Sequence, residues 1–124
     1  MAIKTGEAGR GTAFVIEEDR MAQRFIKVAE VDALPPGKMR RVEIGGQRIL
    51  LANVRGQFYA TDDNCTHEDA SLSTGFLKDE WVKCPLHGSR FNVCTGEVVD
   101  EPADANLRTY AVRVDGNDIW LSPV

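Results

Sequence analysis

The chain has 124 residues, 43% of them hydrophobic and 27% charged, which suits one soluble domain with one modest core. That length excludes most self-sufficient enzymes built from a cofactor domain plus a substrate domain, and a net charge of −4 speaks against a nucleic-acid partner, which a basic face would favour. The longest apolar runs are four residues, too short for a membrane-spanning helix, and no apolar stretch follows a basic start, so no membrane and a cytoplasmic location are expected.

Residues 1–22 alternate Gly6, Gly9 and Gly11 with charged and small residues and read as a flexible N-terminal extension, with one short ordered segment at residues 13–16. The glycines are no dinucleotide fingerprint, because no strand precedes them and no βαβ unit has room to follow. From residue 23 on, extended runs alternate with turn signals: residues 25–31, then 40–44, Gly45-Gly46 and 47–54, a hairpin signature. Arg55-Gly56 makes another turn before residues 57–61. Residues 107–114 alternate, and a second hairpin turn leads to residues 119–121. No window after residue 30 carries a helical period. The pattern predicts an all-β sandwich or small barrel spanning residues 23–124.

Residues 62–104 interrupt that pattern, and a stretch so long and polar inside one domain marks a functional site. It holds ten acids against three bases, a net −7, while the rest of the chain is +3. Such segregation can steer a complementary partner.

The same stretch contains Cys65-Thr66-His67 and Cys84-Pro85-Leu86-His87, which use both histidines of the chain. Thiolates with imidazoles suit zinc or iron–sulfur chemistry. Residues two apart in an extended segment lie about 6–7 Å from each other, so Cys65 and His67 favour two neighbouring metals over one. Cys-x-His is also unusual for zinc, whose paired cysteines are commonly two to four residues apart. A structural zinc module stays open. The third cysteine, Cys94, reads as a small packing residue, and an odd count without a secretory signal argues against a disulfide framework. Phe58, Tyr59, Trp81, Phe91 and Trp120 read as core or loop-packing aromatics.

Cys65-x-His67 followed by Cys84-x-x-His87-Gly88-Ser89 resembles the binding motif of Rieske [2Fe–2S] proteins. The likeness runs from Phe25 to Leu121 and is to the Rieske ferredoxins of bacterial aromatic-ring-hydroxylating dioxygenase systems; Leu72-Ser73, Gly75, Arg90-Phe91 and Thr95-Gly96 share in it. It implies a base domain with an inserted smaller β subdomain, residues 62–104, that binds one [2Fe–2S] cluster. It further implies Cys65 and Cys84 on one iron and His67 and His87 on the other. A flavoprotein reductase would be the electron donor, a terminal oxygenase the acceptor, and the chain itself a non-enzymatic carrier, taken here as a monomer. With neutral imidazoles the oxidised centre sums to zero charge, so an electron enters more easily than at a four-thiolate centre.

Departures from the related respiratory-chain subunits matter. Their loop-tying disulfide has Ala70 and Leu86 at the matching positions, so it cannot form here. Ser89 keeps their hydroxyl to sulfide, but Phe91 replaces their tyrosine, which predicts a potential toward the low end of the Rieske range. Two other readings within this resemblance are a small subunit of a nitrite-reductase-type enzyme, which often lacks the ligands, and a detached Rieske domain of an oxygenase, disfavoured by the absence of a catalytic domain after Val124.

Overall fold

The computed structural model describes residues 24–66, 70–86, 88–101, 103 and 105–123. The proposed extension at residues 1–22, both histidines, Glu68, Asp69 and Asp104 therefore lie outside the described residues.

Ten strands are described: β1 (Ile26–Glu30), β2 (Met39–Ile44), β3 (Gln47–Val54), β4 (Gln57–Asp62), β5 (Phe76–Lys78), β6 (Trp81–Lys83), β7 (Arg90–Asn92), β8 (Thr109–Tyr110), β9 (Val112–Asp115) and β10 (Asp118–Leu121). They form three antiparallel sheets in the orders β1-β10-β9, β2-β3-β4-β8 and β5-β6-β7. The only helical pieces among the described residues are two single 3-10 turns, Val31–Ala33 and Leu72–Thr74. Both two-residue turns of the central sheet have positive φ throughout, +56° and +82° at Gly45-Gly46 and +53° and +92° at Arg55-Gly56. This is the type I′ requirement, whose twist matches that of the flanking strands.

Strand β3 explains how the layers stack. Ile49 and Leu51 point into a core shared with Leu34, Ala60, Tyr110, Ile119 and Leu121, between the first and second sheets. Leu50, Ala52 and Val54 point the other way, into a core with Leu72, Val82, Phe91, Val93 and Leu107. A strand buried on both faces reads as a continuous apolar run instead of an alternating one, and Ile49 to Ala52 are all at most 1% exposed. Truncating Leu50 or Leu51 to alanine would cost about 2–5 kcal/mol.

Two departures from the sequence reading have clear causes. The alternating run at residues 107–114 is not one strand: β8 pairs with β4, whereas β9 pairs with β10 in another sheet. The chain changes sheets at Ala111, whose carbonyl accepts the Ser122 N–H at 3.1 Å. Such a switch turns a sandwich corner. Within residues 62–104, the strands β5 to β7 are three residues each, too short for alternation to register.

Candidate metal centre

Two loops carry the cysteines of the Cys-His pairs. The first leaves β4 after Asp62. Its arms meet in an isolated bridge between Asn64 and Ser71, inside which the Cys65 N–H donates to the Ala70 carbonyl at 2.9 Å. The chain then returns through the Leu72–Thr74 turn to β5. The second loop is the tip of the β6–β7 hairpin. There the Cys84 N–H donates to the Ser89 carbonyl at 2.8 Å, and the Gly88 N–H donates to the Cys84 carbonyl at 3.2 Å. Gly88 has φ +81°, which glycine adopts without steric cost.

Gly75 lets the loops meet. A Cβ there would fall 2.1 Å from the Lys83 carbonyl oxygen and 3.1 Å from Pro85 Cδ, so the exit of the first loop lies against the entry of the second. Cys65 and Cys84 are 5% and 2% exposed, belong to the same core and form no disulfide. Ala70 is buried and Leu86 exposed at the positions that cannot make a loop-tying disulfide.

Beside Cys84, Ser89 is 1% exposed, and its Oγ accepts the Ala103 N–H at 3.0 Å. The segment bearing Ala103 is pinned further back. Arg90 pairs with Asp100 through Nε and Oδ2, and its guanidinium lies 4.5 Å above the Trp81 ring. The Arg90 guanidinium holds the Asp100 carboxyl below the usual carboxylate range.

Cys94 stands apart from the loop cysteines. It is half-buried against the core, its N–H donates to Asn92 Oδ1 at 2.8 Å, and burial pushes its thiol up. Phe91 is fully buried in the core, while Phe58, Tyr59, Trp81 and Trp120 are half-buried.

The acids of residues 62–104 are not one open acidic surface. Asp63 is fully buried, and Asp62 accepts the Tyr110 hydroxyl at 2.5 Å. Asp79 and Glu80 face Arg55 at 3.9 and 3.8 Å. Sequence counting cannot separate such internally engaged carboxylates from solvated ones.

Among the described residues no three His, Cys, Asp or Glu side chains converge on a common point. Two buried thiols that open adjacent loops, face one core and make no disulfide nonetheless suit a soft-metal group. His67 and His87, the predicted partners, follow Cys65 by two and Cys84 by three residues.

Comparison with known proteins identifies the family. Residues 24–111 match the Rieske [2Fe–2S] domain. The chain is 40% identical over 101 residues to the ferredoxin component of naphthalene 1,2-dioxygenase/salicylate 5-hydroxylase systems of a Ralstonia species, covering 82% of this chain and 97% of that one. It is 44% identical over 95 residues to the ferredoxin component of biphenyl 2,3-dioxygenase of Rhodococcus jostii, covering 77% and 89%. Among solved structures it resembles one from a complex of reduced oxygenase and oxidised ferredoxin in carbazole 1,9a-dioxygenase, with a TM-score of 0.77 and 39% identity over 81% of this chain and 94% of that one. The all-β architecture, the paired cysteine loops and these similarities place the chain in the Rieske [2Fe–2S] domain family.

Proposed function

We propose that this chain is a one-electron carrier of a multicomponent aromatic-ring-hydroxylating dioxygenase system. It takes electrons from a flavoprotein reductase, passes them to a terminal oxygenase, and leaves catalysis to those partners. Cys65 and Cys84 hold one iron of a single [2Fe–2S] cluster, and His67 and His87 hold the other. When bound, the cluster supplies a one-electron redox couple whose potential lies above that of four-cysteine clusters.

The chain's own residues prepare that site. Cys65 and Cys84 present their thiols from the edge of the core, where Leu72, Val82 and Phe91 are all fully buried and exclude water. Gly88 gives the second loop its left-handed turn, and Ser89 sets a buried hydroxyl beside it. A single Rieske domain, residues 23–124, includes a cluster-binding subdomain at about residues 62–104, and the carrier works as a cytoplasmic monomer. No helix among the described residues is long and apolar enough to cross a membrane.

The observation that carries this reading is the burial of two thiols, free of any disulfide, at the mouths of two adjoining loops. With both histidines following them closely, the pattern disfavours a ligand-free nitrite-reductase-type subunit. Reconstitution tests it. Turnover of a ring-hydroxylating oxygenase with a flavoprotein reductase and reduced nicotinamide should depend on added chain and saturate with it. Failure of any such reductase to reduce the iron-loaded protein would contradict the reading.

A further inference from the structure

The two cysteine loops are held by different means. The second is the tip of a regular hairpin, with Lys83 paired to Arg90 in the β6–β7 ladder. The first has no ladder. Strand β4 ends at Asp62, the returning arm is a 3-10 turn, and among the described residues the backbone pairing of the arms is the isolated Asn64–Ser71 bridge.

We propose that Asp63 is a positioning residue that replaces the missing ladder: its buried carboxylate clamps the returning arm of the first loop and so fixes Cys65 for the cluster. Asp63 is 0% exposed. One carboxylate oxygen accepts the Ser71 hydroxyl, and the other accepts the Ser73 N–H at 2.9 Å. The Asp63 carbonyl accepts the Leu72 N–H at 2.6 Å, and its own N–H donates to the Arg48 carbonyl of β3 at 3.3 Å. The Ser71 and Ser73 hydroxyls lie 2.9 Å apart, which joins both serines to the clamp. One residue therefore grips residues 71–73 while anchored to the central sheet, two positions before Cys65. A buried carboxylate is costly without donors, and here the donors all come from the arm that must be held. Partners that orient metal ligands through hydrogen bonds commonly control metal retention.

This inference rests on the cluster assignment above, and its test separates the two. Iron release to a ferrous chelator is measured on the iron-loaded full-length protein, with amide hydrogen exchange across residues 63–73. Asp63→Ala should speed iron release about 10–100-fold and raise exchange at Cys65 and Leu72. Asp63→Asn should lie between, because its amide oxygen can still accept from Ser73. Asn53→Ala serves as the control for general destabilisation. Asn53 is buried, donates to the Leu34 carbonyl and accepts the Gly56 N–H, both at 2.8 Å. It should lower the melting temperature and leave release and first-loop exchange near wild type.

Wild-type release from Asp63→Ala, or equal acceleration by Asn53→Ala, would overturn the clamp. If Asp63→Ala does not accumulate folded, Ser71→Ala removes one donor alone and should still accelerate release; an unchanged rate there would also overturn it. Wild-type protein purified without iron and sulfide would instead defeat the cluster assignment, while exchange in the unloaded variants would still test whether Asp63 holds the loop.

Discussion

Cys65 and Cys84 occupy the same position in two loops closed by the same hydrogen bond, each N–H donating to the carbonyl five residues on, at 2.9 and 2.8 Å. The loops are thus local equivalents, although one leaves a sheet and the other caps a hairpin. Their contact depends on Gly75, where any side chain would overlap the Lys83 carbonyl. Gly75→Ala should destabilise the protein by about 1–3 kcal/mol through overpacking. That corresponds to a melting temperature lower by about 4–8 °C per kcal/mol, measured by thermal unfolding. An unchanged melting temperature would mean that the loops can separate freely.

Ser89 is a buried hydroxyl beside Cys84. The Ala103 N–H occupies one of its oxygen lone pairs and leaves the hydroxyl hydrogen to donate elsewhere. Ser89→Ala should lower the reduction potential by about 60 mV, the one-electron equivalent of about 1.4 kcal/mol for a charge-assisted hydrogen bond. Protein-film voltammetry reads this shift. The wild-type value should itself lie low among Rieske centres, because Phe91 has no hydroxyl to offer.

Cys94 should be dispensable for metal. It sits on the Asn92 turn, half-buried against the core. Cys94→Ser should leave iron and sulfide content unchanged by colorimetric assay, and a loss of iron would assign the thiol a part in the site.

The Arg90–Asp100 pair gives the stability a pH dependence. The guanidinium beside Asp100 holds its carboxyl below the ordinary carboxylate value. This contribution is present above that ordinary value and is lost as pH falls through the depressed one. Asp100→Asn should therefore lower the melting temperature at neutral pH, with the gap to wild type closing in acid. Both side chains are partly exposed, so the effect is small and weakens with salt. A gap that persists unchanged in acid would remove the ion pair as its cause.

Much of the base domain was legible because its signals are local. Gly45-Gly46 announced the first hairpin turn and Arg55-Gly56 the next, whereas the burial of β3 on both faces shows only in the packed structure. The Cys-His pairs carried the resemblance to the family that the comparisons show. What escaped depends on contacts between distant residues. The break at Ala111 arises from pairing with two different sheets, and the alternation on either side continues through it. Asp63 counts in sequence as one more acid near the ligand loop, yet it is buried against Ser71 and Ser73. Only the returning chain reveals why an acid stands there.

Metal and sulfide analysis of anaerobically purified protein decides whether the chain carries the cluster, with electron paramagnetic resonance of the reduced state and alanine variants of Cys65, His67, Cys84 and His87 alongside. Equal amounts of iron and acid-labile sulfide at one [2Fe–2S] cluster per chain, a Rieske-type signal, and loss of the visible chromophore in each variant are expected. A colourless protein carrying one zinc and no sulfide, or a chromophore that survives alanine at any of the four positions, would contradict the cluster assignment.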